Sequence, residues 1–109
     1  MKIAVIGSRT VAEIDFDAIA AQAGDVIVSG GARGADTLAA AEARRRGLAV
    51  IEFLPDYARF GRGAPLIRNR QIVAACDRLV AFWDGKSRGT AYTIREARKN
   101  GKQVQIIET

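Results

Sequence analysis

The sequence predicts an α/β protein, a Rossmann-like three-layer sandwich whose five-stranded parallel sheet is covered by helices on both faces. Short apolar segments alternate along the chain with segments whose apolar residues recur at helical spacing, which is typical of parallel strands joined by helices. Three of the apolar segments end in polar, glycine-containing turns. The 109 residues, 49% of them apolar, suffice for one core but not for two, so residues 1–109 are predicted to form one domain.

The first predicted strand runs from Lys2 to Ile6 and is followed by Gly7-Ser8-Arg9. After Asp15, a residue type that caps helices well, apolar residues recur at positions i, i+3, i+4 and i+7. We therefore expect a first helix that begins after Asp15 and ends at Gly24. The residues expected on its buried face are Phe16, Ile19, Ala20 and Ala23.

A glycine-rich turn lies between the second strand and the second helix. The strand is predicted from Asp25 to Ser29, the turn is Gly30 to Gly34, and an alanine-rich helix runs from Ala35 to Arg46. Gly47 suits the position just after a helix, because glycine readily adopts the left-handed conformation found there. A third strand is expected from Leu48 to Leu54.

The next segment, Asp56 to Ala64, mixes aromatic, basic and glycine residues without periodicity and is predicted to be a loop. Pro65 suits the first turn of a third helix, which is expected to run to about Cys76. A fourth strand from Arg78 to Trp83 follows, and it leads into the polar turn Asp84 to Thr90.

Thr90 is expected to cap a last helix that ends at Asn100, and Lys102 to Ile107 is the fifth predicted strand. Right-handed crossovers, with the winding reversed after the third strand, predict the strand order 3-2-1-4-5. Ligands of such sheets bind beyond the carboxyl ends of the strands, where the winding reverses. The turns expected to form one site there are Gly7-Ser8-Arg9, Gly30 to Gly34 and Asp84 to Thr90.

Composition argues against several classes of function. The chain has no histidine and a single cysteine, so neither a histidine-based triad nor a metal site is predicted. Cys76 falls in an apolar helical pattern and is interpreted as a core residue. No apolar run reaches the roughly 18 residues of a membrane helix, and we expect a cytoplasmic protein without membrane contact. The net charge of +5 favours an anionic partner.

The turn from Gly30 to Gly34 has the features of a phosphate site. A strand that passes through a glycine turn into a helix leaves unpaired N–H groups at the helix N-terminus. Gly30, Gly31 and Gly34 permit a ligand to approach the backbone closely, and Arg33 adds a guanidinium that fits phosphate oxygens. The alternative interpretation is a tight turn with an incidental arginine.

The sequence partly matches two familiar phosphate-binding motifs and completes neither. Gly85-Lys86-Ser87 resembles the end of a P-loop, but Val80 stands where that motif requires glycine. The dinucleotide fingerprint is nearly met by Ser29 to Gly34, with serine in the first glycine position. Glu52, however, is expected inside the third strand rather than at its end, where that fingerprint requires an acid. The sequence therefore argues against an ordinary NAD-dependent dehydrogenase.

Arg68 and Arg70 are predicted to have different roles. On a helix they lie about 200° apart and cannot point to the same phosphate. Because Pro65 places Arg68 in the first turn, near the strand ends, Arg68 is the predicted site residue. Arg70 is expected to be structural and to pair with Asp77 or Asp84.

Four polar segments occur in order along the chain: Gly7-Ser8-Arg9, Ser29-Gly30-Gly31-Ala32-Arg33-Gly34-Ala35-Asp36, Arg68-Asn69-Arg70-Gln71-Ile72 and Ser87-Arg88-Gly89-Thr90-Ala91. Together they resemble the SLOG superfamily, which includes the DNA-processing (Smf/DprA) proteins and the LOG phosphoribohydrolases. The chain is similar in particular to the small stand-alone, YspA-like branch. The resemblance implies a Rossmann-like SLOG domain with a site for a nucleotide or a nucleotide-derived ligand.

Whether the chain is an enzyme stays open. LOG enzymes carry Gly-Thr-x-x-Glu with a catalytic glutamate, and the matching segment Gly89-Thr90-Ala91-Tyr92-Thr93 has Thr93 in the glutamate position. A hydroxyl cannot replace a carboxylate as a base or as a stabiliser of an oxocarbenium-like centre, so no catalytic residue is assigned. The DNA-processing proteins share the serine-glycine turn and the Arg-Asn-Arg helix and bind single-stranded DNA, but they are longer.

We expect a domain that binds a nucleotide or ADP-ribose-like ligand at the carboxyl edge of the sheet, as a sensor or binding domain; no cofactor beyond that ligand is assigned. One alternative is a single-stranded nucleic-acid binder that also uses the basic segment Arg59 to Arg62. Another is a nucleotide hydrolase that uses Asp36 and Asp84. Trp83 and Tyr92 either stack on a base or lie in the core. The candidate ligand-binding residues are Gly7, Ser8, Arg9, Ser29, Gly30, Gly31, Arg33, Gly34, Asp36, Arg68, Asp84, Lys86, Ser87, Arg88, Gly89 and Thr90.

A homodimer is also expected. The third strand, the segment after it and the start of the third helix carry more large apolar side chains than a small core can bury, and an exposed apolar patch commonly marks an interface. These side chains are Phe53, Leu54, Tyr57, Phe60, Leu66 and Ile67. The alternative is that they fold back on their own sheet.

Overall fold

The computed structural model describes all 109 residues and contains one five-stranded parallel sheet. Its strands are β1 (Lys2–Gly7), β2 (Val26–Ser29), β3 (Ala49–Glu52), β4 (Arg78–Trp83) and β5 (Gln103–Glu108). Their order is β3-β2-β1-β4-β5, as predicted. Because β1 pairs with both β2 and β4, the winding reverses between β1 and β4, and the switch point lies at their carboxyl ends.

Helices cover both faces of the sheet, which confirms the three-layer architecture. The helices are α1 (Ala35–Arg45), the single turn α2 (Tyr57–Phe60), α3 (Ala64–Ala75) and α4 (Arg88–Lys99). Residues of α1 pack into one apolar core, and residues of α3 and α4 pack into the other. No helix combines the length and the apolar character that crossing a lipid bilayer requires.

The side chains of β1 alternate between the two cores, as the period of a strand requires. Ile3 and Val5 join the α1 side, whereas Ala4 and Ile6 join the side of α3 and α4. All four are at most 5% exposed. The central strand is therefore buried on both faces, which fixes the positions of the turns at its carboxyl end.

The predicted first helix is wrong in extent, because only a 3₁₀ turn, Phe16–Ile19, forms there. Asp15 does cap this turn, since its carboxylate accepts a hydrogen bond from the Asp17 N–H. Ala20 then adopts a left-handed conformation with φ +56° and ends the turn. The Arg78 guanidinium donates to the carbonyls of Ile19 and Ala20, so the chain turns away before Ala20 and Ala23 can be buried.

The segment predicted as a loop, Asp56 to Ala64, is instead helical. The Asp56 carboxylate accepts a hydrogen bond from the Arg59 N–H at 3.1 Å and caps α2. A 3₁₀ turn, Gly61–Gly63, then leads directly into α3. Side-chain capping therefore orders a segment that has no apolar period.

The capping residue of α4 also differs from the prediction. The Ser87 hydroxyl accepts the Thr90 N–H at 3.5 Å and also lies 3.1 Å from the Thr90 hydroxyl. The helix therefore begins at Arg88 rather than after Thr90. This shift places Gly89 and Thr90 in its first turn, at the edge of the sheet where β4 ends.

Candidate functional site

The turns after β1, β2 and β4 meet at the carboxyl edge of the sheet, where the start of α3 faces them. Between them lies a cleft with two lobes that share Arg9, Ala32, Pro65 and Arg68 as lining residues. The inner lobe, of about 140 Å³, reaches the first turn of α4. The outer lobe, of about 210 Å³, reaches Tyr57 of α2.

Ten of the sixteen predicted site residues line this cleft. Those of the inner lobe are Gly7, Arg9, Asp36, Arg68, Ser87, Gly89 and Thr90. The outer lobe adds Gly30, Gly31 and Arg33. The predicted residues that line neither lobe are Ser8, Ser29, Gly34, Asp84, Lys86 and Arg88.

The N–H groups of the glycine turn are partly occupied within the protein, which differs from the unpaired groups that the sequence predicts. The Gly30 N–H donates to Asp36 Oδ2 at 3.0 Å, and the Gly31 N–H donates to Ser29 Oγ at 3.1 Å. Ser29 Oγ in turn donates to the Asp36 carbonyl. The turn is thus held by two buried side chains, while α1, which begins at Ala35 after the N-cap residue Gly34, has no side-chain cap.

Arg68 is the buried cation of the cleft. Its side chain lines both lobes, although the residue is only 9% exposed. Nη1 donates to the Gly30 carbonyl and Nε donates to Asn69 Oδ1 at 2.8 Å. Nη2 makes no hydrogen bond within the protein, and it is not sealed from solvent. One edge of the guanidinium therefore remains available to an acceptor in the cleft.

Arg70 lies on the surface, away from the cleft. Its Nε donates to the Tyr92 hydroxyl at 2.7 Å and lies 3.9 Å from Glu96. The predicted pairing with Asp77 or Asp84 is therefore wrong, because α4 presents Tyr92 and Glu96 opposite this position of α3. Tyr92 is occupied by this contact and lines neither lobe.

Asp36 is the one carboxylate that lines the cleft, and it is 4% exposed. Burial raises the pKa of Asp36 to about 6, although the Gly30 N–H and the positive charge of Arg68 act in the opposite direction. Asp36 and Arg68 both hydrogen-bond to the backbone of Gly30. Asp36 accepts the Gly30 N–H, and Arg68 donates to the Gly30 carbonyl.

Asp84 and Ser8 shape the turn after β4 rather than line the cleft. The Asp84 carboxylate accepts the N–H groups of Lys86 and Ser87, both at 2.8 Å, and these bonds lower the pKa of Asp84. The Ser8 hydroxyl accepts the Asp84 N–H at 3.2 Å. The side chains of Lys86 and Arg88 are exposed outside the cleft.

Thr93 forms part of the inner lobe in the position where LOG enzymes carry their glutamate. It is buried, and its hydroxyl donates to the Gly89 carbonyl at 2.9 Å. Of the two carboxylates that the hydrolase alternative requires, Asp36 lines the cleft and Asp84 lines neither lobe.

The charge that faces the cleft is predominantly positive. Arg9, Arg33 and Arg68 line it together with Asp36. Arg9 and Arg33 are exposed and take part in no ion pair. An anion in the cleft would therefore meet cations that have no other partner.

Several lining residues were missed by sequence reasoning: Ile6, Ala32, Pro55, Tyr57, Pro65, Leu66, Asn69 and Thr93. Asn69 could have been found, because it lies between the two arginines of the α3 motif and accepts a hydrogen bond from the one in the cleft. Tyr57 could not, because its segment shows no period. Trp83 is half-buried beside the cleft, and its indole N–H donates to the Ser87 carbonyl at 3.0 Å.

Comparison with known proteins identifies the family and the fold. The model of the YspA, cpYpsA-related SLOG family matches residues 1–60. The Gene 61 protein of Mycobacterium phage D29 is 41% identical over 87 residues, covering 74% of this chain and 70% of that protein. The X-ray structure of DNA processing protein A (DprA) from Streptococcus pneumoniae superposes with a TM-score of 0.80 at 22% identity.

The superposition with DprA covers 96% of this chain and 49% of DprA, so the chain spans about half the length of that protein. It shows that the two proteins share the fold. The family match includes the turns after β1 and β2, which carry Arg9 and the glycine turn. The chain belongs to the YspA, cpYpsA-related SLOG family.

Proposed function

We propose that this chain binds a nucleotide-derived phosphate ligand of the ADP-ribose type in the two-lobed cleft and acts as a binding or sensor domain. The observation that carries the proposal is Arg68, a buried residue that lines both lobes of the cleft and whose Nη2 has no protein acceptor. A buried cation of this kind is stabilised by an anionic partner, and its planar fork suits phosphate oxygens.

The surroundings of Arg68 support a negatively charged phosphate ligand rather than an uncharged one. Arg9 and Arg33 contribute positive charge from the turns after β1 and β2. The first turns of α1 and α4 also line the cleft, through Asp36 and through Gly89 and Thr90, and helix N-termini favour anions. Membership of the SLOG family supports a nucleotide as the source of the phosphate.

Binding is proposed rather than catalysis. A glycosidic hydrolase of the LOG type needs a carboxylate beside the sugar, and Thr93 supplies a hydroxyl in that position. Asp36 is occupied by the Gly30 N–H. These residues are suited to binding an anion in the cleft rather than to cleaving a glycosidic bond.

The proposal is tested by mass spectrometry of small molecules released when the purified protein is denatured, together with calorimetric titration of the protein with ADP-ribose. We expect a nucleotide with at least one phosphate in the released fraction, or saturable binding of ADP-ribose. Absence of any released nucleotide, combined with no binding of ADP-ribose at millimolar concentration, would contradict the proposal.

A second candidate is single-stranded nucleic acid, favoured by the likeness of the fold to DprA and by the net charge of +5. Arg59 and Arg62 are exposed on the segment between β3 and α3 and could follow a strand that leaves the cleft. A strand neutralised by several arginines loses affinity steeply with salt, whereas a small ligand does not. A steep salt dependence with affinity that rises with oligonucleotide length would favour this candidate; we expect the shallow dependence.

A further inference from the structure

The inner lobe of the cleft contains a buried carboxyl group that is not paired with a cation. Asp36 lines this lobe and is 4% exposed. Its Oδ2 accepts the Gly30 N–H at 3.0 Å, but Asp36 takes part in no ion pair. A buried charge without a paired partner is costly, so burial favours the protonated, neutral form of this carboxyl group.

The charged and titratable groups around Asp36 come from three neighbouring elements and from its own turn. Arg68 of α3 lines the inner lobe, and its positive charge acts on the Asp36 carboxyl. Arg9 of the turn after β1 lines the same lobe, whereas Arg33 of the glycine turn and Tyr57 of α2 line the outer lobe. The first turn of α4 and the turn before it supply only uncharged residues to the cleft.

An anion in the inner lobe would place a second negative charge beside Asp36. Arg68 Nη1 and Asp36 Oδ2 both lie 2.9 Å from the point that a Cβ of Gly30 would occupy, so the guanidinium and the carboxyl are close neighbours. A phosphate that accepts a hydrogen bond from the free Nη2 of Arg68 therefore shares a lobe of about 140 Å³ with Asp36. Two negative charges this close disfavour each other, and protonation of the carboxyl removes the repulsion.

We infer that Asp36 sets the affinity of the cleft for its anionic ligand by binding a proton when the ligand binds. The inference rests on the proposed function, since it takes the phosphate to lie beside Arg68. The proton can bind to Oδ1 while Oδ2 keeps its hydrogen bond to the Gly30 N–H. Binding then takes up a proton from solvent, and the affinity falls as pH rises.

The sign and the pH range of this effect follow from the surroundings of Asp36. Burial raises the pKa of Asp36 to about 6 in the absence of a ligand, and the negative charge of the ligand raises this pKa further. The affinity is therefore highest below about pH 6 and declines above it, until the higher pKa of the bound form is passed.

The composition of the chain makes this proton uptake measurable. The chain has no histidine, and burial raises the pKa of the Cys76 thiol. The ordinary pKa values of the other side chains lie below about 5 or above about 8. The α-amino group of Met1 pairs with Asp25 at the amino edge of the sheet, away from the cleft. A proton taken up near neutral pH is therefore assigned to Asp36.

The probe is ADP-ribose, because its two phosphates are diesters whose charge is constant near neutral pH, whereas a phosphate monoester has a second pKa of about 6. Calorimetric titration in two buffers of different ionisation enthalpy measures the protons that are taken up. We expect the wild type to take up a proton at about pH 7. We also expect it to lose about tenfold or more in affinity between about pH 5 and about pH 8, since a shift of one pKa unit corresponds to tenfold.

Two variants separate Asp36 from other carboxylates near the glycine turn. Asp36→Asn is expected to bind ADP-ribose without proton uptake and with an affinity that does not change with pH, because its amide is neutral and can still accept the Gly30 N–H. Glu52→Gln is the matched control. Glu52 ends β3 near Gly31 but lines neither lobe, so this variant should keep the proton uptake and the pH dependence of the wild type.

The ¹³C shift of the Asp36 carboxyl in the wild type tests the inference without any variant, because the pKa that it reports should rise when ADP-ribose is added. If this pKa does not change, if the wild type binds ADP-ribose without proton uptake, or if a folded Asp36→Asn takes up a proton as the wild type does, the role of Asp36 is refuted and the proposed function stands. If the wild type does not bind ADP-ribose at any of these pH values, the proposed function fails and the inference fails with it.

Discussion

Gly30 is held from both sides by charged residues of opposite sign. Asp36 accepts its N–H and Arg68 donates to its carbonyl. A Cβ on Gly30 would stand 2.9 Å from both Arg68 Nη1 and Asp36 Oδ2, so a side chain here would displace the two groups that hold the turn. Because the same two side chains line the cleft, a change in the charge of either one is expected to alter the hydrogen bonds that hold the turn.

Arg68 and Arg70 offer a direct comparison within one helix. Arg68→Lys is expected to weaken binding of ADP-ribose by about tenfold or more. The lysine ammonium lacks the planar fork with which the guanidinium can donate to Gly30, Asn69 and a phosphate at the same time. Arg70→Lys, on the surface, should change the affinity by less than about twofold. The measurement is calorimetric titration, with thermal unfolding as a check on the fold. Equal affinities of Arg68→Lys and the wild type would remove Arg68 from the site.

Asp36 is expected to make stability depend on pH. Its pKa is raised from 3.8 to about 6 in the folded protein, so the folded state holds a proton that the unfolded state releases between these pH values. The free energy of unfolding therefore falls as pH rises from about 4 to about 6. Asp36→Asn removes this loss, and its stability relative to the wild type should rise by roughly 2–3 kcal/mol over this interval.

Urea unfolding at several pH values measures this difference. Asp84→Asn is the control of opposite sign, because the pKa of Asp84 is lowered and its contribution to stability is lost as pH falls. A stability difference between Asp36→Asn and the wild type that does not change with pH would contradict a buried, protonatable Asp36.

At the scale of the elements, α1 lies unusually close to the turn after β1. A Cβ on Gly7 would stand 2.5 Å from the Cβ of Ala35, and a Cβ on Gly34 would overlap the Ser8 carbonyl oxygen. Small residues on both sides permit this approach. It brings the start of α1 and Arg9 to the same edge of the cleft.

This close approach predicts different costs for two glycine substitutions. Gly34 and Gly47 both have positive φ, +92° and +79°, but only Gly34 has backbone atoms in the way of a Cβ. Gly47→Ala should therefore cost about 1–2 kcal/mol of stability for the left-handed backbone alone. Gly34→Ala should cost at least about 1 kcal/mol more, because its ψ of −130° lies outside the left-handed region and because the turn after β1 must move. Equal costs in urea unfolding would mean that the contact is not tight.

The elements also show how far the sequence determines the structure. The strand order was predictable because each strand is apolar and each crossover is right-handed. The first helix was not, because Ala20 and Ala23 bury too little apolar surface to extend it past one turn. Ser87 and Thr90 are both good caps, and only the geometry decides that Ser87 fills the position.

The candidate site was predictable to a similar degree. The turns were found because glycine and polar residues follow apolar strands, and Arg68 was found because Pro65 places it in the first turn of its helix, near the strand ends. The occupation of the Gly30 and Gly31 N–H groups could not be predicted, because it depends on the buried positions of Asp36 and Ser29. The end of β3 could not be predicted either. The strand ends at Glu52 rather than at Leu54, because the apolar pattern that predicts it continues beyond the last paired residue.

At the scale of the whole molecule, three large apolar side chains stay exposed at the rim of the cleft, and two of them, Tyr57 and Leu66, also line it. Of the six side chains expected to form an apolar patch, Leu54, Tyr57 and Leu66 are 61%, 58% and 43% exposed. The other three, Phe53, Phe60 and Ile67, are half-buried against the protein. We propose that the exposed three lie in a two-fold dimer interface.

The dimer is tested by analytical ultracentrifugation at micromolar concentration. The wild type should sediment with twice the 11.7 kDa mass of the chain, and the double variant Tyr57→Ser, Leu66→Ser should shift towards the monomer. Ile106→Ser is the matched control, because Ile106 is an exposed apolar residue on β5, away from the patch. A wild-type protein that sediments only at 11.7 kDa would refute the dimer.

The central claim, that a nucleotide-derived phosphate ligand occupies the two-lobed cleft, is tested most directly by an NMR titration of the ¹⁵N-labelled chain with ADP-ribose. The largest shifts are expected at the backbone amides of Gly7, Ala32, Gly89 and Thr90, which line the cleft. The amide of Gly47, at the opposite end of α1, should not move. A spectrum that is unchanged at millimolar ADP-ribose, or shifts centred away from the cleft, would contradict the claim.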